Sequence, residues 1–409
     1  MTTATASAPS SHWQDLLYKL AFFLVEVFAA LEVTAALVAT PRIGRALDLP
    51  QAYDSWIITA YLYPMVAGAA LFLLINRPVQ RVLPSRMFFL IGLAIFALGN
   101  ACCFLADQAS VFFAGRVIQG LGAAMSFGGQ LWTAGDYHRS RIVEVLFWGE
   151  CGGALGVMAG PMVGGALTQW TDDGWRYVFA LLGILSLLTL AVGAAALNRI
   201  PPPAAADAPG RDPGAQGFGP LFYLLVVSQI AVSSLAVGAE YLFSDYLQLR
   251  LGKSALFVGG MTLIASLGIV VGSYLVSTQA GGFARHTQRA LIGLLVSLAI
   301  LTALLKFNLL AICAAPIFTL GLAMGWANVA IYGAIAEDLN TQNFLASSLI
   351  YLLAMQLGNG LGVQIESWAE NAQGDVIWIT AALMILPLLL LAAFRGAGPG
   401  LFSKADATV

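Results

Sequence analysis

Apolar runs long enough to cross a bilayer alternate with short polar breaks along almost the whole chain. Twelve can be marked out, at residues 20–40, 54–75, 87–106, 109–132, 143–167, 175–197, 221–246, 255–278, 289–306, 308–334, 345–366 and 376–394. Each approaches or exceeds the ~20 residues that a membrane helix needs. The break between the sixth and seventh runs is different in kind. Residues 198–219 include RIPPPAAADAPGRDPGAQGFG, a stretch of Pro, Gly and Ala that packs against nothing and reads as a linker. The pattern therefore predicts an all-α membrane protein with twelve transmembrane helices in two six-helix bundles. The first bundle takes residues 20–197 and the second 220–394, with flanking segments at 1–19 and 395–409.

Composition agrees. The 409 residues are 59% hydrophobic and only 10% charged, with mean hydropathy +0.83. A soluble domain carries about 25% charged residues, so lipid is the solvent. The first eighteen residues hold no apolar core, and the first run is too long for a signal segment, so it is expected to be retained. A net charge of −2 without a basic run argues against nucleic acid as a partner. The four cysteines, Cys102, Cys103, Cys151 and Cys313, lie inside apolar runs with no C-x-x-C and no nearby His. They read as packing residues, and no metal site is expected. With both ends on the cytoplasmic side, the inner loops would hold twelve Lys and Arg and the outer loops six. That bias favours this orientation.

The fifth run carries GECGGALGVMAGPMVGG, from Gly149 to Gly165. Gly152, Gly156, Gly160 and Gly164 recur every four residues and form one helix ridge without side chains, which lets another helix come close. Pro161 removes a backbone donor within it and is expected to bend the helix. Gly156, Gly160, Pro161, Gly164 and Gly165 together resemble the fifth-helix signature of proton-driven antiporters of the major facilitator superfamily. The resemblance implies that superfamily's fold, two bundles around a central cavity, and makes these residues a conformational hinge.

The first run ends LEVTAALVATP, Leu31 to Pro41, and the second begins WIITAYL, Trp56 to Leu62. Both resemble segments of the drug:proton antiporter branch whose members usually have fourteen spans. Glu32 stands where that branch has Asp. An acid inside the membrane is costly and is by default a functional candidate, so Glu32 is the first candidate for proton coupling. In the fourth run, Arg116, Gln119, Gly120 and Gly122 resemble the superfamily's R-x-x-Q-G-x-G motif. Arg116, Gln119, Ser126 and Gln130 fall within about 80° of one another on a helix, and Gln119 and Gln130 are candidates for lining a substrate cavity. Arg116 stays charged and needs an acid or water, and Glu32 is the partner its depth suggests. Glu240 and Glu150 are further candidate proton-coupling acids. Glu150 faces either a central cavity or the helix that packs on the glycine ridge, and the sequence leaves the facing of Glu26 open.

Between the second and third runs the superfamily usually carries G-x-x-x-D-R-x-G-R-K. Here the stretch is FLLINRPVQR. Arg77 and Arg81 persist as a cytoplasmic gate loop, while Asn76 replaces the Asp. In the second half, Trp326, Asn328, Tyr332, Gln356 and Asn359 supply polar and aromatic groups suited to gripping an organic ligand in a cavity or to hydrogen bonding between helices. Trp175 and Tyr177 read as an interfacial belt. His12, His138 and His286 fall outside the twelve runs, so no buried imidazole relay is expected.

No Walker A, G-x-S-x-G or H-E-x-x-H motif occurs, which leaves ATP hydrolysis and common hydrolase chemistry without their parts. The resemblance implies a secondary transporter rather than an enzyme: a monomer in a bacterial inner membrane, needing no cofactor. It would exchange entering protons for a departing organic molecule, either drug-like compounds or one secreted metabolite such as a siderophore. A non-transporting sensor on the same scaffold is the alternative of a different class.

Overall fold

The computed structural model describes the chain except residues 1–11, 51–53, 138–140, 172, 198–217, 246, 248–250, 253–254, 280–281, 308, 310–311, 339–343, 372–375 and 397–409. The linker therefore lies almost wholly outside the described residues. The elements are helices α1 (His12–Ala46), α2 (Asp54–Leu74), α3 (Asn76–Val82), α4 (Ser85–Phe104), α5 (Ala109–Tyr137), α6 (Ile142–Trp170), α7 (Gly174–Leu197), α8 (Pro220–Asp245), α9 (Ala255–Ser277), α10 (Phe283–Lys306), α11 (Ala314–Asp338), α12 (Phe344–Asn371) and α13 (Val376–Gly396). Among the described residues, ten of these are long and apolar enough to cross a membrane, and Thr380–Phe394 of α13 is a shorter apolar helix. Helix α1 is 35 residues long, and its apolar run is broken by Glu26 and Glu32. Within each half the connections are too short to recross a bilayer, so successive long helices run in opposite directions. Each expected run corresponds to one long helix, but α10 begins at Phe283 rather than 289, α11 at Ala314 rather than 308, and α5 and α12 run on to Tyr137 and Asn371. The first begins earlier than expected, so Lys19 is a buried helical residue rather than a loop charge.

In the first half, α1 packs on α6 and α7, α4 on α5 and α7, and α2 on α5. In the second half, α9 and α10 pack on α11, α8 on α12 and α13, and α10 on α13. The halves meet through α6 with α9 and α11, and through α12 with α2 and α5.

Glycine sets how close these helices come. The ridge of α6 lies along α1: a methyl at Gly152 would run into the Phe23 backbone, at Gly156 into Val27 and Ala30, at Gly160 into Thr34, and at Gly164 into Ala35. The second half repeats the device. Gly358 and Gly362 of α12 lie against Ile230, Ser233 and Ser234 of α8. Likewise Gly120 of α5 meets Tyr61 and Met65 of α2, while Gly321 and Gly325 of α11 meet Ala265 and Ile269 of α9. Helix pairs α1–α6 and α8–α12 thus match, as do α2–α5 and α9–α11. This is the internal symmetry of the two halves, carried by small residues at close crossings. Helix α6 is continuous through Pro161, whose side chain lies outside the described residues.

Named contacts between the halves cluster toward the side of the molecule on which α1 begins, the near side. There the rings of Phe147 (α6) and Tyr274 (α9) are 5.7 Å apart, and Gly128 of α5 faces Leu349 of α12. On the same side, an ion network joins α1 to the start of α6. Lys19 Nζ lies 2.8 Å from Asp15 and 2.5 Å from Glu144, and Arg141 lies 3.0 Å from Asp15 and 2.6 Å from Glu144.

Two readings of single residues are corrected. His286 is not outside the spans: it sits in α10, is largely buried, and its ring lies 5.6 Å from that of Trp326. Trp175 is not an interfacial residue but is fully buried, against Phe112 and Phe179. Only Tyr177 is exposed.

Candidate functional site

Four helices supply the first part of the site: α1 gives Glu32, α5 gives Arg116 and Gln119, α4 gives Asn100 and α2 the Ile57 carbonyl. Arg116 of α5 and Glu32 of α1 are both 0% exposed and form a direct ion pair through Arg116 Nη1 and Glu32 Oε1. Arg116 Nη1 also donates to Gln119 Oε1 (2.7 Å) and Nε to the Ile57 carbonyl of α2 (2.9 Å). Gln119 Nε2 donates to Asn100 Oδ1 of α4 (3.1 Å), and Asn100 Nδ2 donates to the Phe96 carbonyl (2.9 Å). The rings of Tyr61 and Phe179 lie 5.0 and 5.7 Å from the guanidinium carbon. The arrangement is a wire of polar groups from α1 through α5 to α4 inside an apolar bundle. Glu32 Oε2 and Arg116 Nη2 are buried without a hydrogen-bond partner, so the pair retains one free acceptor and one free donor.

Gln119 is accordingly a positioning residue for Arg116 rather than a group facing a cavity. Gln119→Leu is expected to strip a partner from both Arg116 and Asn100. The cost should be about 1–3 kcal/mol, read as a lower melting midpoint of the detergent-solubilised protein.

The second part lies nearer the near side. Glu26 is six residues before Glu32 on α1, about 9 Å along the axis, and accepts from Gln130 Nε2 of α5. The stem of Glu26 packs against Gly149, next to Glu150. Glu150 reaches the second half. Its Oε2 accepts from Asn328 Nδ2 of α11 (3.3 Å), and Asn328 Oδ1 accepts from Gln229 Nε2 of α8 (3.3 Å). Glu150 thus joins the two halves. Tyr332 shares the face of Asn328 and bonds Ser348 of α12 (2.9 Å). Gln356 and Asn359 bond each other (3.3 Å).

Some expected members stand elsewhere. Trp326 points to His286 of α10, away from Asn328. The side chain of Glu240 lies outside the described residues, although its backbone belongs to α8. Arg77 and Arg81 are exposed on α3, and no carboxylate among the described residues is shown paired with them. Gly165 is half-buried beside the ridge. Sequence reasoning missed Asn100, Gln229 and the Asp15–Lys19–Arg141–Glu144 network. A polar amide in the middle of a membrane-length run was the available signal for the first two.

Among the described residues the chain is all-helical, two internally similar bundles with a charged pair buried inside the first and amide bonds reaching across to the second, the architecture of a multi-pass membrane protein. Residues 22–363 match the sequence profile of the Major Facilitator Superfamily, and the chain belongs to that family. It is 26% identical over 205 residues to a protein named MFS-type efflux pump MFS1 from Arthroderma benhamiae, covering 47% of this chain and 37% of that protein. It is 28% identical over 174 residues to the methylenomycin A resistance protein of Bacillus subtilis, covering 42% of this chain and 34% of that protein. The chain thus spans about a third of the length of these relatives. Its fold is similar to that of the proton:xylose symporter XylE, with TM-score 0.73 and 14% identity over 94% of this chain and 96% of that one.

Proposed function

We propose that the protein exports an organic small molecule, drug-like or a secreted metabolite, in exchange for protons by alternating access. The observation that carries this reading is the Glu32–Arg116 pair, fully buried between α1 and α5 with one oxygen and one nitrogen unpartnered. Protonating Glu32 in place would leave the guanidinium unmatched in an apolar bundle, at a cost of several kcal/mol. A proton on Glu32 therefore shifts the balance between conformations, as a coupling ion must. The names of the relatives, an efflux pump and an antibiotic resistance protein, support export. In this reading the ends of the chain and the 198–219 linker are cytoplasmic, the molecule works as a monomer in a bacterial inner membrane, and the proton gradient alone drives it. A panel of lipophilic cations, antibiotics and anionic metabolites including siderophores tests it in liposomes carrying a lumenal pH dye. At least one class is expected to trigger proton movement. A panel on which no solute moves a proton removes the reading.

A further inference from the structure

Glu150 is the one carboxylate among the described residues that hydrogen-bonds across the boundary between the halves. The orientation of its partner is set by a second bond. Asn328 Oδ1 is held by the Gln229 amide, so Asn328 presents its NH2 to Glu150. Gln229 Nε2 is further fixed by Ser233 Oγ at 3.1 Å. At the end of this row Gln229 Oε1 is buried with no partner. The row thus has a spare acceptor and directs its donors toward the carboxylate. An ionised carboxylate accepts such a bond about twice as strongly as a neutral acid.

The position gives the bond its consequence. Glu150 lies two turns from the start of α6, just beyond the Phe147–Tyr274 and Gly128–Leu349 contacts that hold the halves together on the near side. Among the described residues, the ionisable groups that face Glu150 are Glu26 from α1, Tyr351 from α12 and its own neighbour Cys151. None is a cation at neutral pH. The donor row from the other half is what holds the charge.

We propose that Glu150, Asn328 and Gln229 form a proton-sensitive latch between the two halves, closed on the near side while Glu150 is ionised and released when it is protonated. The latch is separate from the Glu32–Arg116 pair, which lies wholly within the first half. It deepens the transport reading and rests on it only for its purpose: a proton arriving from the far side would loosen the near side and favour opening there.

The test is a distance measurement across the near side. Nitroxide labels are placed at Val82→Cys in α3 and Thr278→Cys after α9, both exposed, with the four native cysteines replaced by alanine. Pulsed electron resonance is recorded at about pH 9.5 and about pH 5.5, on either side of the ~8–9 at which buried glutamates can titrate. In the otherwise native chain, acid should raise the ratio of wide to narrow distances about tenfold. Glu150→Gln should show the wide population at both pH values, and Asn328→Ala should do the same. A native chain whose distances ignore pH overturns the proposal, as does a Glu150→Gln protein that still responds to pH like the native chain. Solute-triggered proton flux is read on the same preparations. If no solute moves protons while the distances respond through Glu150, the exporter reading fails and the latch stands. Flux together with pH-independent distances gives the reverse.

Discussion

Gly160→Leu is expected to abolish transport and prevent α1 and α6 from docking. Even the first added carbon at Gly160 would collide with the Thr34 side chain and crowd the Ala35 backbone. Thr34 has little room to yield, because its hydroxyl is tied to the Ala30 carbonyl at 2.8 Å. Overpacking of this kind costs about 1–3 kcal/mol for modest insertions, and four added carbons on a helix–helix seam should exceed that. The same seam aligns Glu32 and Glu26 of α1, so a shift of α1 misplaces both carboxylates. Gly153 is the internal control. It sits one residue from the ridge, and a methyl there meets nothing within 4 Å. Gly153→Ala should leave the melting midpoint and transport near native values, while Gly160→Leu lowers the midpoint sharply or gives no folded protein. Equal behaviour of the two variants would show that close approach of α1 and α6 is not what the glycines provide.

The second large effect concerns the buried pair. Glu32→Gln removes the only carboxylate among the described residues that is shown bonded to Arg116 and leaves a guanidinium with 0% exposure. Breaking one side of such a pair costs about 3–5 kcal/mol, whereas replacing both sides with apolar groups is often neutral. The single variant should therefore be destabilised and should lose proton movement. The double variant Glu32→Met with Arg116→Met should regain most of the stability and remain uncoupled. Stability and coupling separate only if the pair carries the proton. Recovery of coupled transport in the double variant would assign the pair a structural role.

Much of the fold was legible in the chain because its causes are local. Twelve apolar runs and one Pro-rich break fix the helices, and the Gly ridge of α6 was visible as a four-residue period. The sequence could not show which helix the ridge meets, because periodicity defines a face and not its partner. Nor was the repeat between halves readable. It is carried by scattered positions such as Gly358, Gly362, Gly321 and Gly325, where only the absence of a side chain is shared. The Glu32–Arg116 pairing could be anticipated, since an arginine within a membrane must find an anion. The partner of Glu150 could not. Its choice between cavity and ridge is decided by Asn328, which lies 178 residues away. His286 and Trp175 were misplaced for one reason: a polar or amphipathic residue near the end of an apolar run reads as a boundary, although the helix and its packing continue around it.

In the proposed cycle, proton entry at Glu32 drives a solute the other way. The direct measurement loads liposomes with the solute identified by the panel and imposes a pH gradient. Accumulation of that solute is then followed against its own gradient for the native protein and for Glu32→Gln. The native protein should move the solute uphill until an ionophore collapses the pH gradient, and Glu32→Gln should give at most downhill movement. Uphill transport that survives in Glu32→Gln, or that ignores the ionophore, would contradict that cycle.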